Sequence, residues 1–557
     1  MLSRIGQLYR CTQHVPIRQL GRRAWLNVKR RVLVTSLGSA FRGAAPSPLP
    51  VQGTLPKRIM PPRRALVQEL DGVWSLTQLG DRFALSSPMD WQLIQRPGHS
   101  HLQRLTLHYH EFLESIPGEL GRELVLHWIR HNPPWQSGYW LDSWNCYAIS
   151  IRCVCWMQWF AENETLLNDA QRDVLLRSLV QQLDFLSCNL ESDICGNHLI
   201  KNIKCLLWGA AFFDGDKARK WYRLAKKWLT EQLPLQILDD GMHYELSPAY
   251  HCQVFVDLLE CAHVLKDIDR ESLMITMTRA AQATADLTHP DGLISLFSDG
   301  GTHMVYSPSE CLNAWQEQGG TAVAWTDAIE LKTAGYYGAR FSRSYFLADC
   351  GPICADALPA HGHGDMLAFE WDVDGKRIFV DAGVAEYEPG SKRRWGRSTA
   401  AHNTLTIDDH DQAEFFGSFR TGRRSHAVVD HCVWRGGALK LTGQYKLKLN
   451  GGTLGHRREF EVREQSIAIK DTARGTAPGE VVSRLLLHHD CQVTQIDDHH
   501  LEIANSNTRI RLLSNRKIRI RLVHWSPDFG DWIGTNQLEL LCGSLPCDCN
   551  IDLQVVN

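Results

Sequence analysis

Three short segments hold most of the residues whose types and spacing could do chemistry, and each also admits a structural reading. The first is Gly196-Asn197-His198-Leu199. A glycine there permits a sharp turn, so Asn197 and His198 open the next helix with their polar groups near its N-terminus. A helix cap followed by a half-buried histidine would leave the same tetrapeptide. The second runs from Asp239 to His251. An Asp-Gly turn leads to a Ser-Pro helix start, with Ser247 as cap, Pro248 as first helical residue and Tyr250 in the first turn. A polar connection is its structural alternative.

The third is His361-Gly362-His363-Gly364-Asp365, leading into an expected strand at 366–373. Histidines at i and i+2 of an extended segment point to one side, which suits a metal or an anion. Asp381 closes the next strand and His402 opens a later one; imidazole with carboxylate is ligation typical of zinc. His-x-His-x-Asp also occurs in unrelated metallohydrolases, so the motif alone specifies no mechanism. Arg393, Arg394 and Arg397, with Arg420, Arg423 and Arg424, supply cations nearby. They read either as a solvated basic edge or as a grip on carboxylate or sulfate.

The chain that must position these residues has 557 residues, 44% hydrophobic and 22% charged, enough for two large folded domains. A formal charge of -2 gives no global field for nucleic acid, so an acidic substrate must be met by local cations. Seventeen cysteines without disulfide-like spacing read as small buried thiols of a reducing compartment. Thirteen Lys or Arg residues precede the first acidic residue, Glu69. This stretch lacks the apolar core of a secretory signal. A transit peptide would look similar; the favoured reading is a basic arm lying on a membrane surface or on the helical domain, and the default compartment is cytoplasmic, with a periplasmic or membrane-associated one as alternative. No apolar run is long enough to cross a membrane.

Prolines at 46, 48, 50, 56, 61 and 62 mark a linker over 44–64. From about 100 to 330 the apolar spacing is helical, at 105–115, 123–130, 147–162, 168–188, 199–213, 218–233, 248–266 and 270–288. Helical pairs in series bury their apolar faces on each other as a toroid or solenoid. Around Gly335 the period changes to short alternating runs without intervening helices, which predicts an antiparallel sandwich. The expected divisions are therefore a basic arm and linker (1–64), a helical toroid (65–334) and a β-sandwich (335–557).

With these segments in order, the chain resembles the heparinase II/III-like polysaccharide lyases, particularly the bacterial branch found with exopolysaccharide genes. The resemblance rests on Leu107-His108-Tyr109-His110-Glu111-Phe112, Ser150-Ile151-Arg152, the Asn197-His198 and 240–250 segments, the His361–His363 segment and Ser398 through Thr404. It implies a multidomain α+β chain, an N-terminal incomplete (α/α) toroid followed by a C-terminal antiparallel β-sandwich. It also implies β-elimination on a uronic-acid-containing anionic polysaccharide. By the same resemblance Asn197 binds the uronate carboxylate, and His198 neutralises it or takes the C5 proton. Tyr250 is base, acid or both, and His361 faces the same cleft. His363, Asp381 and His402 hold a structural zinc, with no organic cofactor. Arg152, Tyr244, Glu245, Arg397 and Arg420 are expected to touch substrate. Two rival readings remain: a glycoside hydrolase pairing Asp240 with Glu245, and a non-catalytic polysaccharide-binding or assembly component.

Overall fold

A computed structural model describes residues 2–42, 46–63, 67–79, 81–92, 98–408, 410–449 and 451–556. Residues 44, 45 and 64 of the expected linker lie outside these. The chain forms two compact units. One unit takes 16–236 and 254–277; the other takes 1–15, 237–253 and 278–557.

The first unit is built on the helices Gly118–His131, Cys146–Asn163, Asp169–Cys188, Gly196–Phe212 and Asp216–Gln236. Cys146–Asn163 and Gly196–Phe212 are buried on nearly every side, as central helices without a wet face must be. The expected helix at 105–115 is broken. His101–Leu107 ends, His110 takes a left-handed backbone (φ 61°), and a short 3₁₀ turn follows at Glu111–Glu114. Its histidines explain the break: Nδ1 of His108 accepts from Trp128 and Nδ1 of His110 from Trp156, at 3.0 and 2.9 Å. Both histidines are buried beside Arg152, and burial with that positive charge pushes His108 down to about 3. A three-stranded antiparallel sheet at Val67–Leu70, Val73–Gln78 and Asp81–Ala84 has no counterpart in the sequence reading; its strands are short and only half apolar.

In the second unit the strands begin at Ala328–Leu331, slightly before the expected switch. A five-stranded antiparallel sheet runs in chain order from Ala328–Leu331 to Lys376–Phe379. An eight-stranded sheet and a four-stranded sheet, both antiparallel, follow. All three contribute to one core, with Phe346 and Trp371 from the first, Phe460 and Ile551 from the second, Leu485 and Leu538 from the third. Ser466–Gly475 alternates buried and exposed along its length, the mark of a sheet with one wet face. Ser344–Asp349 and Ala368–Val373 are buried on both faces. Arg458 ties the layers together: it is paired with Asp471 at 2.6 Å and also donates to Leu367 O and Ser483 Oγ.

The second face of the five-stranded sheet carries Glu370 and Asp372, both fully buried. Their partner is His289, whose Nε2 and Nδ1 donate to them at 2.9 and 3.0 Å. Burial and Arg377 both lower this imidazole, yet the two carboxylates outweigh them and raise it to about 9. A group raised in the folded state stabilises it fully below its unfolded value of about 6.5 and stops doing so as pH climbs through 9. The urea midpoint should therefore fall between pH 6.5 and 9.5, and fall less in His289→Gln; an identical decline in that variant would contradict this account.

Candidate active site

The segment at 239–251 folds as its residues dictate. Gly241 has φ +89°, and a Cβ there would collide with the backbone carbonyl of Arg279. Asp240 accepts from the amides of Met242, Thr333 and Ala334 at 3.2, 2.7 and 2.8 Å, so it is a turn residue. Ser247 Oγ accepts from Tyr250 N at 3.1 Å and donates to Asp299 O at 2.5 Å, which fixes the helix start as expected. Tyr250 thus stands in the first turn of the helix Pro248–Val264.

The Tyr250 ring lies on that of His361, with centroids 4.1 Å apart and planes 31° apart. His361 makes two charge-assisted bonds, Nε2 to Glu245 at 2.9 Å and Nδ1 to Asp299 at 3.0 Å. Burial lowers this imidazole, but both carboxylate bonds outweigh it and raise it to about 9. His361 is therefore an imidazolium with both nitrogens engaged, and it acts on Tyr250 through its ring face. Glu245, expected to touch substrate, is buried at the Nε2 edge of His361 as its counter-ion. The pairing of Asp240 with Glu245 for glycoside hydrolysis is spent on structure.

Asp299 is the hub, and no sequence signal singled it out: Ser298-Asp299-Gly300-Gly301 reads as a turn. Its carboxylate, fully buried, accepts from His361, from His363 Nε2 at 2.9 Å and from both terminal nitrogens of Arg393. Burial opposes ionisation, yet Arg393 and the two histidines hold it well below the usual carboxylate range. Tyr387, also missed, places its hydroxyl 3.0 Å from that of Tyr250. Burial raises both phenols, Tyr250 further through the Asp299 charge, so each is neutral at ordinary pH. The Arg393 guanidinium lies 5.1 Å from the Tyr387 ring.

Of the expected substrate cations, Arg420 is exposed. Arg397 is buried: it donates to Gly362 O at 3.1 Å, to Ser418 O and to Thr421 Oγ1, bracing the loop between His361 and His363. Tyr244 is half-buried against His243.

His363, Asp381 and His402 come together, with ligand-capable atoms within 4.8 Å of one another and all three residues buried. They fit a zinc-like ion. His363 spends its Nε2 proton on Asp299, and burial lowers this imidazole to about 3, so Nδ1 keeps a free lone pair. Neither that Nδ1 nor His402 Nε2 has a hydrogen-bond partner among the described residues. His402 donates from Nδ1 to Asp381 at 2.7 Å.

In the helical unit, Cys195 (φ 62°) and Gly196 (φ 58°) make the sharp turn that opens Gly196–Phe212. Asn197 is buried, whereas the His198 side chain is one-third exposed. His198 Nδ1 lies 3.0 Å from Glu191, and Asn202 donates to the same carboxylate at 3.0 Å. Burial would raise Glu191, but His198 and Asn202 hold it low. Tyr147 packs on His198 with centroids 4.5 Å apart. Arg152 is elsewhere: fully buried, it donates to Gln182, His108 O and Ser143 O and stacks on Trp128 at 4.0 Å. It braces the scaffold.

Residues 105–317 match the heparinase II/III N-terminus and residues 325–545 the heparinase II/III-like C-terminal domain. The chain belongs to the heparinase II/III-like family. Similar family proteins include a heparin-sulfate lyase of Bacteroides thetaiotaomicron, 26% identical over 332 residues, covering 51% of this chain and 47% of that protein. Another, from Pedobacter heparinus, is 25% identical over 42% of this chain and 39% of its own length. The chain thus matches less than half the length of these relatives. A crystal structure of heparinase III superposes with a TM-score of 0.70 at 18% identity, over 86% of this chain and 80% of that one. Heparan sulfate lyase HepC from Pedobacter heparinus gives 0.58 at 17%, over 86% and 80%. The shared fold is a helical toroid followed by antiparallel β-sheets.

Because Asp299 neutralises the cations His361 and Arg393 in a dry environment, removing its charge strands them. Asp299→Asn should cost about 3–5 kcal/mol in denaturant unfolding. A loss below about 1 kcal/mol would mean that the hub is not what holds them.

Proposed function

We propose that this chain cleaves a uronic-acid-containing anionic polysaccharide by β-elimination, leaving 4,5-unsaturated uronate ends. The observation that carries the reading is the neutral, buried Tyr250 phenol stacked on a fixed imidazolium and bonded to a second phenol. Names of the relatives support it, since those proteins are heparin-sulfate lyases. A glycosaminoglycan-like polymer or a bacterial exopolysaccharide is the substrate class.

In this reading a base takes the weakly acidic proton at C5 of the uronate. The electron pair forms the C4–C5 double bond, and the C4–O bond breaks. The departing oxygen needs a proton, and a phenol that stays neutral at working pH is suited to give it. Tyr250 is therefore the acid. The phenolate left behind is stabilised by the His361 ring face and by Tyr387 donating to its oxygen, both pre-oriented by Glu245, Asp299 and Arg393. Asn197 and His198 retain, as proposals, the carboxylate-binding and proton-abstracting roles, with Glu191 orienting His198. Arg420 is an exposed cation for the polymer's negative groups.

Zinc would be held by His363, Asp381 and His402. When bound, it supplies positive charge that locks these side chains in place, and the rest of the chemistry belongs to the residues above. His363 shares Asp299 with His361, so the metal's effect on the site is positional.

Ultraviolet absorbance of unsaturated uronate, followed with heparan sulfate, chondroitin sulfate, hyaluronan and alginate, reads turnover directly. Tyr250→Phe should lower kcat by roughly 10²–10⁴-fold with an unchanged circular dichroism spectrum; near-normal turnover would move proton donation elsewhere. Elemental analysis should find about one zinc per chain, lost in His402→Ala, and a chelator should lower the melting temperature of the parent protein alone. Zinc-free protein of full stability would remove the metal from the account.

A further inference from the structure

The helix Ile17–Leu33, inside the basic arm, has two unlike faces. Gln19, Leu26 and Leu33 are buried at seven-residue spacing. Beside them Arg22 and Lys29 donate to the carbonyl of Cys188 at 3.4 and 3.2 Å, and Arg23 to that of Asp193 at 2.9 Å. Cys188 ends the helix Asp169–Cys188, so these cations also meet the negative end of its dipole. The inward face is thus fully employed within the helical unit.

The outward face is apolar. Ile17, Trp25, Val28 and Val32 are 86%, 57%, 56% and 40% exposed, with Gly21 completing the spacing of one continuous helical stripe. Exposed Arg18 and Arg31 flank it. No acidic residue lies before Glu69. Water rewards none of this, and a patch of this kind marks a surface that binds.

Charge decides among occupants. A second copy would set Arg18 and Arg31 against like charges with no carboxylate on the arm to pair them. A soluble polyanion would pair with the arginines and gain nothing from Ile17, Val28 or Val32. An anionic bilayer rewards both features, taking the aromatic and aliphatic side chains at the acyl boundary and the cations at its headgroups. No described helix is long and apolar enough to cross a membrane, so the helix would lie in the surface plane.

We propose that this outward face docks the protein on an anionic lipid surface. The proposal is independent of the lyase reading. Flotation of the full chain with phosphatidylcholine vesicles, with and without phosphatidylglycerol, tests it. The chain should float with anionic vesicles, hardly at all with neutral ones, and progressively less as salt rises. The double variant Trp25→Ser/Val28→Ser should reduce the bound fraction at least about fivefold, with an unchanged unfolding midpoint. Absence of flotation with anionic vesicles would overturn the proposal, as would equal flotation of the variant. Self-association in sedimentation velocity that the variant abolishes, without vesicle binding, would assign the face to a second copy instead.

Discussion

A carboxylate sealed away from water must find positive charge or become protonated. Asp299 resolves this by gathering Arg393, His361 and His363 around its two oxygens. Much of the candidate site follows from that single choice. Arg393 is pinned beside Tyr387, His361 is held as a cation under Tyr250, and His363 is left with one nitrogen free to bind a metal. The carbonyl of the same residue anchors Ser247, the cap that places Tyr250 in the first turn of its helix. One residue thus orders the phenol, the imidazolium stacked on it and the edge of the His363, Asp381 and His402 cluster.

The same rule sorts other buried arginines among the described residues. Arg152, Arg397 and Arg458 are buried and satisfied by carbonyls, hydroxyls or a carboxylate, so they brace structure. Arg420, by contrast, keeps its exposure, and His361 keeps a ring face against Tyr250. A buried arginine with all three nitrogens engaged cannot also grip a polymer, because withdrawing it strands its partners.

Periodicity made the two architectures readable in advance. The apolar spacing of 123–130 and 218–233 and the alternation near 466–475 reflect which faces are buried, and burial is what the pattern encodes. Local chemistry was equally plain where it is local, as in the Ser247-Pro248 cap and the Cys195-Gly196 turn. The site's long-range members were not. Asp299 meets His361 across 62 residues and Tyr250 meets Tyr387 across 137, and neither separation leaves a spacing to read. Glu191, three residues past the helix Asp169–Cys188, belongs to no motif, yet it holds His198. The histidines at 108 and 110 carried the family resemblance, yet they serve as acceptors for tryptophan indoles.

Elimination and hydrolysis part ways over water. Digesting a susceptible polysaccharide in heavy-oxygen water, then weighing the oligosaccharides by mass spectrometry, separates them without any variant. Elimination gives products one water lighter than hydrolytic fragments and unsaturated at one end, with no oxygen taken from water at cleavage. Saturated products carrying the label would contradict it.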